Sequence, residues 1–179
     1  MEFLKLFFKK FLRYILKPLS FLPAVCMMYI IFSFSAQTGS ESGTLSYYVS
    51  KLLILAYNKF LLKGYDNATL NELILLIHPV VRKLAHVTEY FLLAASVSLP
   101  LYVYRLRGIA LTLIAGIFCI TFACFDEYHQ TLIAGRVGSI RDVYIDSIGI
   151  IVGILTIRIS GYIGRKTIFS FLSLDEKER

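Results

Sequence analysis

Residues 108–130 read GIALTLIAGIFCITFACFDEYHQ: eighteen positions without a charge, then Asp126 and Glu127 side by side, with Gln130 one turn beyond Asp126. A run of that length and composition crosses hydrocarbon as a helix, because a helix satisfies its own backbone polar groups where no water can. An ionised carboxylate in hydrocarbon is expensive, so acids at the end of such a run are expected to face inward and to be functional. Three further segments repeat the pattern: 19–36 (LSFLPAVCMMYIIFSFSA), 84–104 and 143–163. The 21 residues of the second give about 30 Å of helix, the thickness of a bilayer core. The expected fold is an all-α, integral-membrane four-helix bundle.

Composition agrees. With 57% hydrophobic residues, 17% charged residues and a mean hydropathy of +0.68, the 179-residue chain lies far from soluble globular and from disordered classes. The net charge of +7 does not point to nucleic acid, because the bases flank apolar runs instead of alternating with aromatics on a polar face. Cys26, Cys119 and Cys124 fall inside apolar runs, without metal-ligand or disulfide spacing, and read as packing residues.

The bases set the topology. Twelve Lys and Arg fall in the N-terminal arm, in the hairpin at Arg105 and Arg107, and in the last turn and tail from Arg158 onward; seven fall on the other side. Both termini are therefore expected in the cytoplasm. The chain divides into a cytoplasmic amphipathic arm over 1–17, a membrane domain over 18–164, and a charged cytoplasmic tail over 165–179. The arm, Phe3 to Leu16, places Phe and Leu among Lys5, Lys9, Lys10 and Arg13, as expected on anionic inner-leaflet lipid. A basic stretch before an apolar run also resembles a signal peptide, but the run is long, so an uncleaved anchor is expected. Between spans one and two, Ser40 to Gly43 reads as a turn, and Leu45–Leu62 and Asn71–Ile77 read as interfacial helices, the second ending before Pro79. They would form a lid over the site or a pair of packing helices.

With that topology every polar cluster lands at one, extracytoplasmic level. Arg82, His86 and Glu89 share a narrow stripe at the start of span two, with Lys83 and Tyr90 beside it. Asp142, Asp146, Gly149 and Gly153 lie on one face of span four, where the glycines form a small-x-x-x-small step that lets another helix approach closely. Asp126, Glu127 and Gln130 end span three, Ser35 and Gln37 end span one, and the loop adds Gly135, Arg136, Gly138 and Ser139.

These residues carry a resemblance. The string Arg82-Lys83-Leu-Ala-His86-Val-Thr-Glu89-Tyr90, followed by Asp126-Glu127-Tyr-His-Gln130, Arg136, Ser139, Asp142 and Gly149, resembles the VanZ-like family of small membrane proteins, and Ser33-Phe-Ser-Ala-Gln37 is similar to that family's motif at the end of its first span. The resemblance covers about residues 30–155. It departs at Asp146, where the family pattern more often has an amide. The family takes its name from a member associated with teicoplanin resistance, which implies a cell-envelope role but brings no established reaction.

The chemistry open to this cluster is bounded. His86, Glu89, Asp126, Glu127 and Asp142 are candidates for general acid and base work, or for holding a divalent cation through oxygen and imidazole. Arg82, Lys83 and Arg136 suit a phosphate or carboxylate at headgroup level, with Gln37, Tyr90, Gln130, Ser139 and Asp146 as further ligand contacts. Membrane lipids, a cell-wall precursor or a glycopeptide-related ligand are the implied partners. H-E-x-x-H, G-x-S-x-G, P-loop and Cys-x-x-Cys patterns are missing, and Ser35 and Ser139 stand only as speculative nucleophiles. Against a ligand site stands a structural ion-pair network in which Arg82, Arg136 and Arg141 neutralise the acids. A proton-coupled transporter and a non-catalytic scaffold are the other functional classes.

Overall fold

The computed structural model describes residues 18–166, with side chains to residue 163; the expected arm over 1–17 and the tail beyond 166 lie outside them. The order of helices is α1 (Leu22–Ser35), α2 (Gly39–Phe60), α3 (Asn67–Val103), α4 (Gly108–Gln130) and α5 (Ile140–Lys166). Helices α3, α4 and α5 are each long and apolar enough to cross a membrane, whereas α1 and α2 pass that test only as a pair bent by 107°. The 14 residues of α1 reach about 21 Å, short of the hydrocarbon thickness. A helical membrane bundle of three or four spans results, as the apolar runs foretell.

The bend between α1 and α2 is built locally. The expected turn at Ser40–Gly43 is instead the first turn of α2, because Thr38 and Glu41 form a capping box: the Thr38 hydroxyl accepts from the Glu41 amide (3.3 Å), and the Glu41 carboxylate accepts from the Thr38 amide (2.9 Å). The chain therefore turns within 36–38.

A second difference is larger. The expected interfacial helix over Asn71–Ile77 and the expected span over 84–104 are one 37-residue helix, with Pro79 inside it. Proline removes a backbone donor and usually breaks a helix. Here the first half of α3 is held on α2 by an apolar cluster of Ile54, Leu70 and Ile74, with Tyr47, Tyr65, Leu73 and Ile77 around it. It starts at Asp66, whose carboxylate accepts from the Thr69 amide (3.2 Å). At about 55 Å, α3 outruns the hydrocarbon, so its first half need not lie in lipid.

The main core joins α1, α3, α4 and α5. On α4 the buried stripe is Leu111, Ala115, Cys119 and Ala123, and it continues as Asp126, Glu127 and Gln130. On α5 it is Ile154, Ile150 and then Asp146; on α1 it is Ala24, Ile31 and then Ser35. Each inward face is thus apolar through the middle and polar at the same end of the bundle. The outward faces are apolar too, with Ile109, Ile117, Phe125, Ile151 and Leu155 exposed, which suits lipid contact. Cys119 belongs to the core, and Cys26 and Cys124 face outward as free thiols.

The expected small-residue step is where α5 meets α3. A Cβ at Gly149 would collide with the Val87 carbonyl oxygen, and one at Gly153 with that of Phe91, so the two backbones touch.

Candidate functional site

The polar end is organised around Asp126. Its Oδ2 accepts from the Ser35 hydroxyl of α1 (2.8 Å) and from the Gln130 amide (3.2 Å). The same Gln130 nitrogen donates to Glu127 Oε1 (3.3 Å), and Glu127 Oε2 accepts from the Ser139 backbone amide (2.8 Å). Asp126, Glu127 and Gln130 are all buried, and these bonds replace part of the water that the carboxylates have lost, while Asp126 Oδ1 is left buried without a hydrogen-bond partner.

Arg136 closes the other side. Only 8% exposed, it donates from Nε to the Gln37 carbonyl and from Nη2 to the Phe34 carbonyl, both at 2.8 Å. These carbonyls lie at the C-terminal end of α1, where the helix leaves acceptors unsatisfied. The guanidinium thus caps α1, while its Nη1 is buried without a hydrogen-bond partner. Burial first, and then the Arg82 charge, lower its pKa from the ordinary arginine value, against the opposing pull of Asp126, Glu127 and Glu89.

A cleft of about 380 Å³ opens beside these groups, walled by Arg82, Lys83, His86, Glu127, Gln130, Arg136, Asp142 and Asp146, with His78 at its rim. Asp146 is only 2% exposed, so this additional acid sits deep in the wall. Lys83 Nζ pairs with Asp142 Oδ1 at 3.1 Å, both half open to solvent, and His86 Nδ1 lies 3.5 Å from Glu89 Oε2. Among the described residues Arg82, Arg136 and Arg141 make no ion pair, so the expected neutralising network of arginines on acids is not how this end is assembled.

The residues singled out in the sequence fall into layers. Arg82, Lys83, His86, Glu127, Gln130, Arg136, Asp142 and Asp146 line the cleft. Gln37 and Glu89 line an adjoining groove. Asp126 and Tyr90 line neither: Asp126 lies behind Gln130, and Tyr90 is fully buried against Phe122, its hydroxyl near Asp126 but outside hydrogen-bond geometry. Ser139 contributes its backbone to Glu127, while its hydroxyl accepts from the Arg141 amide (3.2 Å). Ser35 is committed to Asp126, and His129 stacks on Phe32 with ring centroids 4.2 Å apart. Among the described residues no three of His, Cys, Asp and Glu converge as a metal-holding group, so the divalent-cation reading gains no support from the geometry.

One contact escaped the sequence. His78 Nε2 lies 2.8 Å from the Ser46 hydroxyl and 3.0 Å from the Gly43 carbonyl. A carbonyl only accepts, so Nε2 carries the proton, and Ser46 in turn donates to the Ser42 carbonyl (3.1 Å). The pair ties α2 to α3 and is not a nucleophile with its base. Its partners are 32 residues apart, so no local pattern announces it; the Thr38-x-x-Glu41 capping box, by contrast, was readable.

Searches among curated proteins and solved structures find no match. The VanZ/LLP1 family model matches residues 20–161, a stretch that takes in every cleft residue above and the whole apolar core. With the apolar-to-polar stripes, the Arg136 clasp and that match together, the chain belongs to the VanZ/LLP1 family.

Proposed function

We propose that the cleft is an outward-facing site in a bacterial cell membrane, with both termini cytoplasmic, and that it binds the anionic group of an envelope lipid or cell-wall-linked ligand. The observation that carries this reading is the pair of arginines on the wall of the 380 Å³ cleft: Arg82, without an ion pair among the described residues, and the buried Arg136 beside it. Arg82, half-buried and lining the cleft, is the guanidinium open to a phosphate or carboxylate oxygen, to which it can donate two parallel bonds; Arg136 Nη1 is closed off from the cleft, so Arg136 adds its charge from behind. Lys83 would add charge at the mouth. His86 and Glu89, close enough to exchange a proton on a small movement, would support acid–base work on the bound group, with Asp126 and Glu127 holding the geometry behind them. Ligand capture at this level of the envelope is also the route by which such a protein would affect glycopeptide tolerance.

The transporter reading is weaker. Below the polar end the bundle is closed by Leu93, Ala94, Val97, Ala115, Cys119, Ile150 and Ile154, a packed apolar plug where a proton route would need polar groups.

The test uses glycerol phosphate, a soluble phosphate monoester, titrated calorimetrically into the purified protein. Saturable binding that weakens about tenfold in Arg82→Gln, about 1.4 kcal/mol, is expected. Glu89→Gln and Asp126→Asn should abolish the cellular phenotype while leaving the protein inserted and monodisperse. Unchanged envelope phenotype and unchanged binding across these variants would reject the assignment.

A further inference from the structure

The polar cleft does not end at its own wall. A second cavity of about 350 Å³ shares Arg82, His86 and Arg136 with it and continues as a groove between α2 and α3. Leu45, Val49 and Leu53 form its α2 side; Val81, Leu84 and Ala85 form its α3 side. Leu45, Val49, Leu53 and Leu84 are exposed, so the groove is open along its length. From Leu45 to Leu53 it follows about 12 Å of helix. Arg82, His86 and Arg136 therefore stand where cleft and apolar track meet, with Glu89 beside His86 on the track and Glu127, Asp142 and Asp146 in the cleft.

We infer that the ligand is a lipid held in two parts, its phosphate at Arg82 and Arg136 and one hydrocarbon chain along the α2–α3 groove, so that it enters sideways from the bilayer. This rests on the anion site proposed above and adds the chemical class of the ligand. Charge complementarity selects the headgroup: the residues common to cleft and groove are Arg82, His86 and Arg136, with no carboxylate among them, and Lys83 already holds Asp142, so a phosphate monoester with two negative charges suits the junction better than a headgroup of no net charge. Apolar burial supplies the rest. A CH₂ group moved into such a groove from lipid gains far less than one moved there from water, so the headgroup decides selectivity and the chain decides orientation.

The decisive experiment is native mass spectrometry of the detergent-purified full chain. It is titrated with dipalmitoyl phosphatidic acid, with phosphatidylcholine of the same chains, and in parallel with glycerol phosphate. One phosphatidic acid should be retained about tenfold better than phosphatidylcholine. Val49→Trp, which fills the groove, should lower phosphatidic acid retention about tenfold while glycerol phosphate binds as in the parent. Ala85→Met provides a smaller obstruction should the tryptophan variant misfold, and should act in the same direction. Equal retention of both lipids would mean annular lipid only, and would overturn the inference. So would unaltered phosphatidic acid binding in both groove variants, or a lipid-free dimer that places a second copy in the groove. If glycerol phosphate binds but the chain has no effect, the anion site stands and the lipid assignment falls; if neither phosphate compound binds, both fall.

Discussion

The two ends of this bundle handle charge in opposite ways. At one end carboxylates are buried and linked by side-chain hydrogen bonds through Ser35, Asp126, Gln130 and Glu127. At the other, Arg158 reaches out of α5 to the Thr112 hydroxyl (2.9 Å), Arg107 stacks over the Tyr102 ring at 5.6 Å, and the Tyr102 hydroxyl donates to the Gly161 carbonyl (2.8 Å). Arginines on long stems can leave lipid by extending toward headgroups, so that end needs no buried acid. Short carboxylate side chains cannot extend in the same way, and their helices must carry their partners with them. The hydrogen-bonded acids are thus a built interior, whereas the bases opposite are an anchoring fringe.

The most forceful way to break that contrast is to separate α3 from α5, since their contact holds the polar end together. Gly149→Leu places a side chain against the Val87 carbonyl and should cost about 3 kcal/mol or more, seen as loss of the monodisperse peak and a lower Tm in detergent. A variant as stable as the parent would show that the backbones do not touch. Next in size is Asp126→Ala, which leaves the Ser35 hydroxyl and Gln130 amide without their common acceptor and should cost about 1–3 kcal/mol. Thr112→Ala at the opposite end should cost less than about 1 kcal/mol, because Arg158 can turn to headgroups or water. If thermal unfolding ranks these two the other way round, the distinction between interior and fringe is lost. The smallest effect sharpens the picture inside the polar end itself. Tyr90→Phe deletes a hydroxyl that is buried without a hydrogen bond, so stability should stay within about 1 kcal/mol of the parent or rise. A clear loss would mean that the Tyr90 hydroxyl is a working member of the Asp126 network.

Much of this was readable one helix at a time. The convergence of Asp126, Asp146, Ser35 and Glu89 at one end follows from period and topology alone, because each inward stripe changes from apolar to polar at a position fixed by its own spacing. The close contact at Gly149 and Gly153 was equally local in its signal. What the residues could not convey was which partner each group would choose. Arg136 suggested an anion holder, yet two of its donors go to the end of α1, and backbone carbonyls carry no mark in a sequence. Pro79 suggested a helix boundary, but the clamp that keeps α3 continuous belongs to α2, which lies earlier in the chain. Tyr90 had the right spacing for the cleft and faces the core, because its aromatic bulk fills space beside Phe122.

The continuity of α3 has a mechanical consequence. Arg82, His86 and Glu89 sit on a single rod at the place where its support passes from α2, through Ile74 and the His78 tether, to α5, through Val87 and Phe91. The backbone beneath all three is thus set by two neighbours at once, with Pro79 between the supports as the point where α3 lacks a backbone donor.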